Sequence, residues 1–154
     1  MTKNKYLSLF LILIITFIAS GIGGFVTASF KEPWYSEIVL PSFNPPSWVF
    51  APVWTALYIL MSIAAWRIWI KFNDHKILNI YFYHLLFNGT WSVVFFGFHQ
   101  IQLALINIII ILIFIIILMN IYLNKDKLSF IIMVPYFLWT LYASVLNTAI
   151  AILN

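Results

Sequence analysis

Apolar residues fall into five long blocks: Tyr6–Phe30, Ser47–Ile70, Ile77–Phe98, Ile101–Leu123 and Leu128–Leu153. Each is about as long as the 20 or so residues a helix needs to cross the hydrocarbon core of a bilayer. The polar gaps between them are short, except for the stretch from Lys31 to Pro46. The pattern predicts an all-α integral membrane protein, a bundle of five transmembrane helices. It forms a single domain over residues 1–154 with one long extramembrane loop at 31–46.

Composition supports lipid as the solvent. The chain is 64% apolar, 19% aromatic and only 8% charged, with a mean hydropathy of +1.04. A soluble domain carries about 25% charged residues. There are no cysteines, which removes disulfides, thiolate chemistry and Cys-based metal sites. The net charge of +4 and pI near 9.4 do not point to nucleic acid, because the basic residues lie at helix ends rather than in one patch.

The first block opens like a secretion signal, with Lys3 and Lys5 before an apolar run and Ala19 and Gly21 in place of a cleavage site. The run continues to Phe30, longer than the 7–15 residues of a signal's apolar region, and is read as a retained helix. Ser20, Gly24 and Ala28, with Ala19 and Gly23 alongside, form a small-residue face that allows close helix contact. Such a face serves packing inside the bundle or a homodimer.

Five spans put the termini on opposite sides. Lys3, Lys5, Arg67, Lys71, Lys76, Lys125 and Lys127 then share one side, and Lys31 stands alone on the other. The positive-inside rule makes the N-terminus cytoplasmic and puts the 31–46 loop and the C-terminus outside. Trp66, Trp69, Tyr81 and Tyr122 are placed as an aromatic belt at the cytoplasmic interface.

Acidic residues are confined to the gaps: Glu32 and Glu37 in the long loop, Asp74 and Asp126 in the short ones. Intramembrane ionisable groups mark proton and ion paths, so their absence argues against a proton-coupled transporter or pump. It also removes any paired-carboxylate acid/base site. No Ser-His-Asp set, Walker loop or zinc spacing is present. The fourth block has little polar content beyond Asn107 and Asn120 and is read as lipid-facing, passive packing.

Three other blocks carry polar and aromatic stripes. His84, Asn88, Trp91 and Phe95 share one helical face. Asn88 is read either as an interhelical hydrogen bonder or, with Ser92, as a hydrogen-bonding group for a ligand beside Trp91. His84, lacking a positioned partner for metal or haem ligation, is read as a structural hydrogen bonder, and His75 and His99 are assigned no role. In the second block Trp54, Tyr58, Met61 and Ala65 share a face; in the fifth, Tyr136, Trp139, Ala143 and Asn147 do. Ordinary packing explains one such stripe, whereas three that converge describe an apolar cavity with a few placed polar groups, the usual form of a small-molecule site. Small Ala143 leaves room for a flat ligand. The lip of this cavity is the stretch from Pro41 to Trp69, where Pro41, Pro45 and Pro46 stiffen the backbone and Ser47 offers a helix N-cap.

These residues resemble the TspO/MBR family of tryptophan-rich sensory proteins and mitochondrial translocator proteins, the peripheral-type benzodiazepine receptors. The resemblance rests on Trp34-Tyr35, on PSFNPPSWVFAPVWTALYILM from Pro41, on Asn88-x-x-Trp91 with the later FFGFHQ, and on PYFLWTLYASVLN from Pro135. It implies five packed helices, often dimeric, with a pocket under the first loop. The implied ligands are protoporphyrin and other tetrapyrroles, sterols, and synthetic isoquinoline carboxamides and benzodiazepines. The implied pocket uses Tyr35 and Pro45 from the loop and Trp48, Trp54 and Tyr58 from the second helix. The third helix adds Asn88, Trp91 and Ser92, and the fifth adds Trp139, Ala143, Leu146 and Asn147.

Bacterial members of the family are associated with light-dependent porphyrin breakdown, and the resemblance gives Trp54 and Trp139 the photochemical roles. No cofactor or metal is required, the porphyrin itself being ligand or substrate. A bacterial cytoplasmic membrane is the implied location. Transport of porphyrins or other apolar molecules, and stress-linked regulation of tetrapyrrole metabolism, are the alternatives. Two departures stand out. Phe43 occupies a loop position where the family commonly has tryptophan, and TAIAILN after Asn147 lacks the Tyr and Lys/Arg of the animal cholesterol motif. Specific sterol binding is therefore not expected.

Overall fold

The structure is a computed structural model describing residues 1–2 and 4–154; Lys3, counted in the charge asymmetry, lies outside the described residues. The elements are α1 (Lys5–Phe30), α2 (Trp34–Glu37), α3 (Ser47–Phe72), α4 (His75–Ser92) continued by a π-helical turn (Val93–Gly97), α5 (Ile101–Lys125) and α6 (Lys127–Leu153). No strand occurs among the described residues.

Local chemistry sets the boundaries. Asn4 caps α1 by accepting from the amides of Tyr6 and Leu7 at 3.1 and 3.0 Å. Asn73 ends α3 in the left-handed region, φ 48°, where asparagine is tolerated, and its amide reaches the Trp69 carbonyl at 2.8 Å. Asp74 at once caps α4 by accepting from the amides of Lys76 and Ile77. Two residues thus reverse the chain. Ser47 does not serve as the expected cap. It is the first residue of α3, after Pro46, and its hydroxyl accepts instead from Lys31 Nζ at 3.3 Å.

The five long rods close into a ring in the order α1, α3, α6, α5, α4 and back to α1. In α5 the buried residues are Ile101, Ala104, Ile108, Ile111, Ile115, Leu118 and Tyr122, alternating steps of three and four. That is the seam of a left-handed helical coil, which α4 and α6 fill from either side. The α5 residues between them, such as Leu103, Ile106, Ile113 and Ile116, are exposed, as are Phe10 and Phe25 of α1. An exposed apolar girdle of this extent marks a membrane-embedded surface. By length and composition α1, α3, α5 and α6 each suffice to cross a membrane. The α4 rod is diluted by Asn79, His84, Asn88, Thr90 and Ser92.

Small residues draw α1 onto α4. A Cβ added at Gly89 would lie 3.3 Å from the Ala19 carbonyl, and one at Gly23 would lie 3.2 Å from Ser92 Oγ. Gly21 and Gly24 have open space beside them.

The two ends of the ring differ. At one, Asp126 links α5 to α6 and accepts from Arg67 Nε at 3.0 Å, Lys71 Nζ at 2.7 Å and Ser129 Oγ at 2.6 Å. Burial raises the Asp126 carboxyl, but these three donors outweigh it and hold the group well below the usual carboxylate range. The N-terminus lies at the same end, where the Trp66 and Trp69 indoles donate to the carbonyls of Lys5 and Thr2. At the other end, the loop to Pro46 meets the C-terminus: Asn154 accepts from the Val39 amide at 2.9 Å and donates to its carbonyl at 3.1 Å.

The aromatic belt expected at the basic end is largely internal. Trp69, Tyr81 and Tyr122 are buried, with Tyr81 bonded to Thr16 at 2.7 Å, so they pack the bundle rather than face lipid headgroups.

Candidate ligand-binding site

Two aromatic and polar groups form in the ring, and Trp91 packs against both. The first joins α3, α4 and α6. The Tyr58 hydroxyl donates to Asn88 Oδ1 at 2.6 Å, and Asn88 Nδ2 donates to the Tyr136 oxygen at 2.9 Å. His84 Nε2 lies 2.6 Å from the same oxygen. Trp54 stacks on Tyr58, centroids 5.6 Å apart at 28°, and meets Tyr136 edge-on at 6.3 Å. One turn toward the loop, Phe50 meets Trp139 edge-on at 6.1 Å, and Trp139 packs on Tyr142 at 5.6 Å. Trp139 is half-buried, yet its indole nitrogen is fully covered and has no hydrogen-bond partner among the described residues.

The second group lies under the loop. Tyr35 is buried against the edges of Phe95 and Phe96 and donates to Asn44 Oδ1 at 3.2 Å. Burial pushes the Tyr35 hydroxyl above its ordinary range, keeping it neutral. Trp91 stacks on Phe95 at 4.9 Å and donates to Asn147 Oδ1 at 3.1 Å, while Leu146 packs in the same cluster. The π-helical turn at Val93–Gly97 holds these rings. It adds a residue to the turn, with the Phe98 amide reaching back to the Val93 carbonyl at 2.9 Å. Single π-turns of this kind recur at functional sites.

The sequence-derived candidates divide accordingly. Trp54, Tyr58, Asn88 and Trp139 come together in the first group; Tyr35, Trp91, Leu146 and Asn147 in the second. Pro45 is half-buried in the loop, with its carbonyl 3.4 Å from Asn44 Nδ2. Ala143 is half-buried, one turn beyond Trp139 on α6. Ser92 is turned toward Gly23 of α1, away from the aromatic face. Trp48 is 75% exposed and joins neither group. Asn88 and Asn147 already bond inside the bundle, so the interhelical reading of Asn88 describes its present contacts.

Phe50 and Tyr142 escaped the sequence reading, although their spacing from Trp54 and Trp139, four and three residues, could have found them. Trp34 likewise went unassigned; it stacks on His99 at 4.5 Å.

An all-helical ring with a lipid-exposed girdle and an aromatic-rich interior near one end defines a multi-pass integral membrane protein. Its sequence matches the TspO/MBR family over residues 10–153. The chain belongs to that family. It is 36% identical to tryptophan-rich protein TspO of Archaeoglobus fulgidus, over 92% of this chain and 94% of that one. It is 34% identical to the tryptophan-rich sensory protein of Cereibacter sphaeroides, over 88% and 87% of the two chains. It is 31% identical to the human translocator protein over 61% of each.

Proposed function

We propose that this protein binds a flat apolar ligand of the tetrapyrrole class, such as protoporphyrin, between α3 and α6 beneath the 31–46 loop. One observation carries the reading. Rings from both helices converge around Trp139, whose covered indole N–H has no partner among the described residues. A buried donor without an acceptor is costly, and a ligand acceptor would relieve it. Tyr35, Pro45 and Leu146 form the loop side of the site, and Ala143 leaves the space on α6. The same surface suits isoquinoline carboxamide or benzodiazepine ligands.

In this reading the α4 rod with its π-turn completes the set of five transmembrane helices, with His84 and Asn88 buried inside the bundle. The N-terminus is cytoplasmic, the C-terminus lies outside, and the membrane is a bacterial cytoplasmic membrane. Gly21 and Gly24 leave an open strip on α1 that suits a homodimer.

The chemistry is photochemical. An excited porphyrin exchanges an electron with Trp54 or Trp139, which requires no carboxylate base. Passage of porphyrin across the membrane and regulation through ligand occupancy are the alternatives, in keeping with relatives named translocator and sensory protein. Absorbance of bound protoporphyrin under steady illumination separates them. Loss of the Soret band with a new product supports photodegradation. A stable spectrum with flux into liposomes supports transport, and a stable spectrum without flux leaves binding alone.

A further inference from the structure

We propose that Tyr136, with His84 as its proton acceptor, re-reduces Trp54 after the excited macrocycle has oxidised it. The proposal rests on the photochemical reading above and assigns the next step in it.

Trp54 touches two tyrosines, Tyr58 face to face and Tyr136 edge-on at 6.3 Å. A phenol gives up an electron readily only if its proton leaves at the same time, so the hydroxyl must face a base within hydrogen-bond reach. The Tyr58 hydroxyl faces the amide oxygen of Asn88, which is not a base. The Tyr136 oxygen accepts from Asn88 Nδ2 and lies 2.6 Å from His84 Nε2, and the relay assigns the proton of this short contact to Tyr136. His84 is then the tautomer with hydrogen on Nδ1, an atom that is buried and unpartnered among the described residues. Among the described residues the other tyrosine hydroxyls with hydrogen-bond partners face no base: Tyr35 faces Asn44, Tyr81 faces Thr16 and Ser62, and Tyr142 faces the Phe43 carbonyl. Asn88, bonded to both Tyr58 and Tyr136, is a positioning residue.

The step balances. The excited macrocycle takes one electron from Trp54, leaving a macrocycle radical anion and an indole radical cation. One electron passes from Tyr136 to Trp54 and restores the neutral indole. The Tyr136 O–H bond breaks, and its proton forms an N–H bond at His84 Nε2. The products are a neutral tyrosyl radical and an imidazolium, with total charge unchanged. The hole moves one ring away from the indole that the macrocycle oxidised, which slows charge recombination and spares that indole.

The test is electron paramagnetic resonance of the full-length protein with protoporphyrin bound, illuminated and then frozen. Wild type should give a tyrosyl signal. Tyr136→Phe and His84→Gln should each lose it and show an indole signal instead, with protoporphyrin still bound. Tyr83→Phe, at an exposed position on α4, should keep it. A measurement on wild type alone guards against misfolded variants: histidine labelled with nitrogen-15 should give a hyperfine coupling to the tyrosyl radical. A tyrosyl signal that survives in Tyr136→Phe, or an indole signal alone in wild type, overturns the relay and leaves the photochemistry standing. No radical in wild type, with porphyrin bound, overturns both.

Discussion

The Trp91 indole N–H donates to Asn147 Oδ1 at 3.1 Å, tying α4 to α6 just below the loop. Asn147 passes the connection on, donating from Nδ2 to the Ile101 carbonyl at 3.2 Å at the start of α5. One side chain therefore joins three rods where the π-turn interrupts regular helix pairing. Replacing Asn147 by Leu should remove both bonds and destabilise the protein by about 1 kcal/mol, the scale of interhelical hydrogen bonds in membranes. A double-mutant cycle with Trp91→Phe, read by unfolding in mixed micelles, should show the two losses to be less than additive. Fully additive losses would mean that the pair does not interact.

At the opposite end Asp126 has the corresponding role, through charge. Its carboxyl is held low in the folded protein. A depressed folded value means that its contribution is complete above the unfolded value of about 3.9 and is lost as pH falls through the folded one. Asp126→Asn should therefore cost about 1 kcal/mol, modest because Arg67 and Lys71 remain partly hydrated. The deficit should be constant from pH 8 to about 5 and shrink below about 4. Thermal unfolding of both proteins in detergent across that range checks the sign. A deficit that grows on acidification would contradict it.

Charge sorting between the ends gives a third expectation. Lys5, Arg67, Lys71, Lys76, Lys125 and Lys127 belong to the Asp126 end, and Lys31 to the loop end. A reporter active only in the cytoplasm should work when fused before Met1 and fail after Asn154. The reverse pattern would invert the proposed orientation.

Much of this was legible in the sequence because hydrophobic length and rare residues carry the signal. The Pro41 to Trp69 stretch announced a stiff lip running into a helix, and the small residues of α1 announced close packing, which Ala19 and Gly23 provide against α4. Other details were hidden for a physical reason. On a helix that is apolar all round, periodicity does not distinguish a face turned to lipid from one turned to a pocket. Trp48, which the family resemblance alone put in the pocket, is exposed beside half-buried Val49 and Phe50. Tyr81 and Tyr122 read as interface anchors and are buried. The π-turn after Ser92 has no composition signal, and Ser92 turned to α1 rather than to the aromatic face.

The central claim, a flat ligand held between α3 and α6, is tested most directly at Ala143. This residue is half-buried on α6 one turn from Trp139, and no other substitution places bulk there with so little change in polarity. Protoporphyrin should quench the tryptophan fluorescence of the purified wild type saturably. In Ala143→Phe the added ring should cost the bound state about 1–3 kcal/mol, weakening affinity roughly fivefold to a hundredfold while the fold is retained. Equal affinity in a folded Ala143→Phe protein, or quenching that never saturates in wild type, would contradict the site proposed here.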